Sequence, residues 1–250
     1  MNLEPEALLS LGLHSPGLVA ATAGSAGAML HARAEAAFSR LRQAAADAGF
    51  DLRVASAFRS FERQRQIWNG KLRGERAVLD DRDRPIDLAC LDPQQRLECV
   101  LRFSAMPGAS RHHWGSDIDV FDAAAVTDDY RVRLDLAEVA DDGVFGPLHC
   151  WLDERIERGE SFGFFRPYDR DRGGVAPERW HLSFAPLALI REEALRPEAL
   201  IGAWRFGQAY GAGGVVEEAE RLCEQAEALY ERFVRRVAPA PRAALAYGGA

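Results

Sequence analysis

Ser110-Arg111-His112-His113-Trp114-Gly115-Ser116-Asp117-Ile118-Asp119 is the stretch on which the reading of this chain turns. Two histidines on a glycine-punctuated loop run into a segment with β-branched Ile118 and Val120, which predicts a strand over Ser116 to Phe121. Side chains along a strand alternate between its faces, so Asp117 and Asp119 share one face. A turn at Gly115 lets a loop histidine fold back toward them. Imidazole and carboxylate converging on one point make a candidate cation site, although the same residues also describe a solvated loop beside an edge carboxylate. The spacing does not choose between His112 and His113, or between Asp117 and Asp119.

A second stretch, Glu178-Arg179-Trp180-His181-Leu182-Ser183-Phe184, supplies what the first lacks. A catalytic zinc takes three protein ligands and keeps a fourth position open. His181 would complete such a set, and Glu178 would serve as the base that takes a proton from an attacking water. Residues three apart on a strand point to opposite faces, so Glu178 is expected just before a strand over Trp180 to Phe184, after Pro177. A third stretch, Ser56-Ala57-Phe58-Arg59-Ser60-Phe61-Glu62-Arg63-Gln64, places Arg59 where a strand over Leu52 to Phe58 gives way to a helix through Trp68 capped by Ser60. An arginine at that junction points off the sheet edge, and its planar fork suits a substrate carboxylate or a developing oxyanion.

Outward from these stretches, helical spacing of apolar residues predicts helices over Ala28 to Gly49, Pro93 to Phe103, Pro147 to Glu157, Leu187 to Leu195, Pro197 to Gly207 and Val215 to Val237. Phe162 to Phe165 reads as a further strand, and the charged segment Gly70 to Pro93 as a surface excursion that forms a rim or lid. Strands and helices mix without regular alternation, which predicts an α+β fold. The expected architecture is a small antiparallel sheet carrying the zinc site, flanked by helices, with an added C-terminal helical segment. The expected organisation is a domain over 1–210 with its core at about 28–185, a C-terminal helix over 211–237 hinged at Gly211 to Gly214, and a flexible tail over 238–250.

The formal net charge of -7 and the lack of any Lys or Arg block give nucleic acid or an anionic membrane no electrostatic footprint. No apolar stretch is long enough to span a bilayer, and the start of the chain lacks the basic-then-apolar pattern of a secretory signal. A cytoplasmic location is therefore expected, with release by lysis as another route. Cys90, Cys99, Cys150 and Cys223 match no thiolate metal pattern and read as buried free thiols. His14, His31 and His149 read as surface or packing residues.

In order and separation the three stretches resemble the patterns S-G-Y-R-S-x-x-x-Q, S-x-H-x-x-G-x-A-x-D and E-x-W-H of the VanY-like zinc D-alanyl-D-alanine carboxypeptidases. These are relatives of the VanX dipeptidases and of phage L-alanyl-D-glutamate endopeptidases. The resemblance spans about Ala28 to Phe184 and implies one zinc ion per chain held by His112, Asp119 and His181. It implies Glu178 as general base, Arg59 as stabiliser of the tetrahedral intermediate, and Gln64, Ser110 and Trp180 around the substrate. His113 and Asp117 become bystanders or supports. The implied activity is D-Ala-D-Ala carboxypeptidase on a peptidoglycan peptide. A D-Ala-D-Ala dipeptidase, an endolysin-type endopeptidase and a silent zinc- and peptide-binding module are the alternatives. Ala57 and Phe58 depart mildly from the pattern; Asp117, where a small residue is usual, departs more and is expected to orient His112 or to alter the metal.

Overall fold

The computed structural model describes residues 3–15, 17–25 and 27–247. The chain begins with α1 (Pro5–Ser10), a hairpin of β1 (Leu18–Ala20) and β2 (Met29–His31), and the long helix α2 (Ala32–Asp47). This helix starts four residues later than its apolar spacing predicts, because Met29 to His31 pair with β1. His31 is its N-cap, with Nδ1 accepting from the Arg33 N–H at 3.2 Å. β3 (Leu52–Ser56) and α3 (Phe61–Leu72) follow, and Ser60 caps α3 by accepting from the Arg63 N–H. Next come α4 (Pro93–Phe103), β4 (Asp117–Asp122), α5 (Leu136–Val139), α6 (Gly146–Glu157), β5 (Phe164–Phe165) and β6 (His181–Phe184). The chain closes with α7 (Ala185–Ala194), α8 (Pro197–Phe206), α9 (Ala219–Glu224), α10 (Ala226–Tyr230) and α11 (Arg242–Ala246).

The main sheet has the order β3-β4-β6-β5 and is antiparallel throughout. Its period-two alternation sorts two kinds of residue. Leu52, Val54, Ile118, Val120, Leu182 and Phe184 share a core with Phe38, Leu41 and Ala45 of α2 and with Leu148 and Leu152 of α6. Truncating a side chain such as Phe38 there to alanine would cost about 3–5 kcal/mol. The polar residues Ser56, Asp117, Asp119, His181 and Ser183 take the other face. A second core joins α1, α3, α4 and α7 to α10 around Trp68, Phe61 and Trp114.

Register decides which polar residues meet. Asp119 is paired with His181 on one side and with Ser56 on the other. The pairing of β3 with β4 shifts between Val54 and Ser56, so that Ala55 is an extra residue and Ser56, not Ala55, stands opposite Asp119. Residues from three distant stretches thus share one row across the sheet.

Three expectations need correction. The single helix over Val215 to Val237 is α9 and α10, broken at Gln225 and followed by a π turn over Glu231–Arg235. The break lets the Gln225 amide pair with Gln94 on α4 at 3.0 Å, while Leu222, Ala226, Leu229 and Phe233 stay in the helical core. The expected flexible tail is packed over 238–247: the Ala238 N–H donates to the Pro167 carbonyl at 2.8 Å, and α11 buries Ala244 with Phe165 and Ala185. Residues 248–250 lie outside the described residues. The four thiols are free, but Cys90 is exposed and the others are half-buried. Among the described residues no helix is long and apolar enough to cross a membrane.

Candidate metal centre and its cavity

Arg111–Trp114 form one turn of 3-10 helix ended by Gly115 in the left-handed conformation, φ 69°, which lets the chain reverse into β4. The reversal brings the His112 ring over the Asp119–His181 pair of the sheet. His112 Nε2 lies 3.2 Å from Asp119 Oδ2, and His181 Nδ1 lies 3.1 Å from Asp119 Oδ1. One ligand atom from each of the three residues lies within 4.8 Å of the others, and all three side chains are buried. Among the described residues His112 Nδ1, Asp119 Oδ1 and His181 Nδ1 are buried without a hydrogen-bond partner. Buried polar atoms are seldom left in this state. Two imidazoles and a carboxylate with unpartnered atoms are donors for a divalent cation, and the set suits zinc.

Asp117 does not orient His112, as expected, but His181. Its Oδ1 lies 3.0 Å from His181 Nε2, because both side chains rise from the same face of adjacent strands. With Nε2–H engaged there, His181 presents the Nδ1 lone pair to the other two residues. The extra negative charge is matched by Arg111, whose Nε donates to Asp117 Oδ1 at 2.9 Å and whose Nη2 donates to Ser183 Oγ at 2.9 Å. The guanidinium also lies over the Trp114 ring at 4.4 Å. Burial alone would raise the Asp117 carboxyl, but Arg111 and His181 hold it at about 2. Burial likewise opposes the ionised Asp119, and His112 and His181 together hold its carboxyl well below the usual range. His181 is pushed up to about 9 against desolvation by the neighbouring Asp117 and Asp119, and a cation at the donors would take the place of the Nδ1 proton. His112 moves down, chiefly through burial.

Glu178 stands in the turn before β6, with Oε2 3.5 Å from His181 Nδ1. Its N–H donates to the Tyr168 carbonyl and its own carbonyl accepts from the His181 N–H, each at 3.0 Å, which fixes the turn. Desolvation raises its carboxyl to about 7, with Asp119 adding and His181, Arg59 and Lys71 opposing. A cation at the nearby donors would draw it back down. Arg59 is clamped from three sides: Nη1 donates to Gln64 Oε1 at 2.8 Å, Nη2 to Ser56 Oγ at 3.3 Å, and its backbone N–H to the His112 carbonyl at 3.1 Å. Burial lowers its pKa, with Asp119 and Glu178 opposing.

Arg59, Ser110, His112, Glu178, Trp180 and His181 line a cavity of about 310 Å³. Gln64 does not line it. It is buried, donating to the Ala105 carbonyl at 2.6 Å and holding Arg59 with its oxygen. Ala77, Leu79 and Asp83 from the charged excursion form part of the cavity wall. Three residues there escape the sequence reading. Tyr168 packs its ring 5.0 Å from that of His181, Arg111 neutralises Asp117, and Lys71 looks in from α3. Only Arg111 had a local signal, as a cation beside the histidines and six residues before the anomalous Asp117. His113 points away from the donors. Its Nε2 accepts from the Gly108 N–H, and a Cβ on Gly12 would fall into its ring. His149 is buried on α6, with Nδ1 3.4 Å from Arg166 Nη2.

The family model described as VanY, D-alanyl-D-alanine carboxypeptidase, matches residues 27–187. Two uncharacterized proteins of Haemophilus influenzae are similar to the chain. One is 47% identical over 85 residues, which is 34% of this chain and 58% of that protein. The other is 31% identical over 116 residues, 46% of this chain and 86% of that protein. The matched region thus spans little more than half the length of the first relative. Among solved structures, the chain is similar to VanYB in complex with D-alanine-D-alanine at 19% identity and a TM-score of 0.49, covering 83% of this chain and 90% of that one. It is also similar to the LdcB LD-carboxypeptidase at 16% identity and a TM-score of 0.48, covering 89% and 81%. Likenesses this distant carry no argument about activity.

Proposed function

Since the chain belongs to the VanY family of D-alanyl-D-alanine carboxypeptidases, we propose that it removes the terminal D-alanine from cell-wall peptides, using one zinc ion held by His112, Asp119 and His181. The observation that carries this reading is the set of buried, unpartnered donor atoms on those three residues, with Glu178 beside them. A zinc ion so held supplies a Lewis acid that polarises the substrate carbonyl and acidifies an attacking water.

The chain's own residues do the rest. Glu178 takes the proton of the attacking water at its carboxylate and returns it to the leaving amine. Arg59, held by Gln64 and Ser56, points its guanidinium at the oxygen on which negative charge develops. Asp117 keeps the His181 tautomer fixed through Nε2–H. Trp180 and Tyr168 close the wall around the reacting atoms and limit water.

The test is D-alanine release from D-Ala-D-Ala and from a muramyl pentapeptide, with and without a chelator. Release that stops on chelation is expected. Glu178→Gln should lose on the order of 10²–10⁴-fold in kcat while keeping its metal. Stoichiometric zinc and tight peptide binding with no release from either substrate would overturn the hydrolase reading and leave a binding module. Loss of metal in Glu178→Gln would mean that base and ligand are wrongly assigned.

A further inference from the structure

Of the 31 lysines and arginines in the chain, Lys71 is the one lysine, and it lies in the wall of the cavity that holds Glu178 and His181. It sits near the end of α3, seven residues after Gln64. Seven residues are close to two helical turns, so both side chains leave the same face, about 10 Å apart along the axis. Gln64 uses that face to hold Arg59, and Lys71 places a second cation further along the same wall.

The other cations of the cavity are engaged. Arg59 is bonded to Gln64 and Ser56, Arg111 to Asp117 and Ser183, and Arg133 to Asp135 and Glu138. The Lys71 ammonium, by contrast, makes no hydrogen bond or ion pair with the described residues. Desolvation pulls its pKa down; Glu178 opposes this, and Arg59 and Arg76 add to it. It therefore feels the field of the catalytic groups without being tied to any of them. Asp83, the acid on the rim, is turned to the Leu136 N–H at 3.2 Å. A half-buried ammonium with no ion-pair partner among the described residues is set to gain from an anionic ligand. Lysine offers a compact charge with three rotatable donors, whereas an arginine fork demands a fixed two-point partner.

We infer that Lys71 anchors the free C-terminal carboxylate of the substrate peptide, so that the cavity accepts a chain end and rejects an internal bond. This rests on the reading of the cavity as a peptide-hydrolysing site. A terminal carboxylate is one residue beyond the scissile carbonyl, at most about 3.3–3.6 Å of extended chain. It stays within the cavity that Glu178 and Lys71 share.

The experiment compares a peptide ending in D-Ala-D-Ala with the same peptide as its C-terminal carboxamide, on the full chain and on Lys71→Met. The wild type is expected to favour the free acid in kcat/KM. In Lys71→Met the free acid should lose on the order of 10- to 100-fold more than the amide, through KM, any loss common to both substrates reporting on Glu178 or on the fold. The amide is thus an internal control for folding and for Glu178. Equal losses on both substrates would place Lys71 in service of Glu178 or of the fold and overturn the anchor, as would a wild type indifferent to the carboxylate. If no peptide is cleaved at all, the hydrolase reading fails, and calorimetry of the two peptides decides separately. Tighter binding of the acid that Lys71→Met removes supports the anchor, and equal binding overturns it.

Discussion

The imidazole Nδ1 of His113 lies 2.5 Å from the backbone carbonyl oxygen of Arg59. With Nε2 accepting from the Gly108 N–H at 3.1 Å, Nδ1 is the nitrogen that carries the proton and donates to Arg59. Burial holds the ring's pKa at about 3, so it stays neutral and bridges the loop before β4 to the junction before α3. The Arg59 N–H returns a bond to the His112 carbonyl, and the two catalytic stretches are laced together through their backbones.

His113→Phe would keep the ring and strand both partners, a buried N–H and a buried carbonyl. Each unsatisfied group costs about 1–3 kcal/mol. The variant should lose about 2–6 kcal/mol in urea unfolding, and its kcat should fall further than its KM rises as Arg59 loosens. Full stability would mean that water replaces the imidazole.

Asp117→Asn keeps the shape but removes the charge that faces both Arg111 and His181. Zinc affinity, measured by competition with a chromophoric chelator, is expected to weaken on the order of 10- to 100-fold. Unfolding stability should also fall, because Arg111 would remain buried without its counter-charge. Unchanged affinity would show that Asp117 serves only Arg111.

Metal removal should destabilise the fold and not only the activity, since the donors are buried on three separate elements. At a free zinc concentration of about 100 times Kd the bound ion adds roughly 2.7 kcal/mol, to be read as a fall in Tm on chelation. Asp119→Ala should have a Tm that no longer responds to the chelator. A chelator-sensitive Tm in that variant would place the ion elsewhere.

Acid should weaken the fold through His149, whose pKa desolvation lowers to about 2, with Arg166 and Arg179 adding to the effect. The native state keeps this ring neutral while the unfolded chain binds a proton near pH 6.5, so stability is full above that value and falls as pH drops below it. Between pH 7 and pH 5 the loss is about 2 kcal/mol. His149→Leu should flatten that part of the profile in urea unfolding at stepped pH. An unchanged slope would assign the acid sensitivity to other groups.

What could be read in the sequence was what depends on neighbours along the chain. Gly115 announced a reversal, the alternation from Asp117 to Val120 announced β4, and the three-residue offset from Glu178 to His181 put the glutamate ahead of its strand. What depends on pairing between distant segments could not be read. Period two shows that Asp117 faces the site, but only the β4–β6 register gives it to His181 instead of His112. Gln64 lay in a matching motif, yet its work of holding Arg59 follows from where α3 starts. Lys71 fell in the expected surface excursion, because the helix was expected to end at Trp68; α3 runs on to Leu72 and carries it into the cavity wall. The break at Gln225 answers to a partner on α4, and a helical run of apolar residues carries no trace of that.

The extra residue at Ala55 has a consequence for how such a chain can change over generations. Substitutions in β3 alter one contact each, whereas deleting a single residue there would shift every later position on the strand to the other face. Ser56 would leave the row it shares with Asp119 and His181, and Arg59 would lose its acceptor and its heading together. The number of residues from Leu52 to Arg59 is therefore as firm a requirement as the identity of Ser56 and Arg59, and insertions and deletions should be purged there while changes at the exposed Arg53 drift.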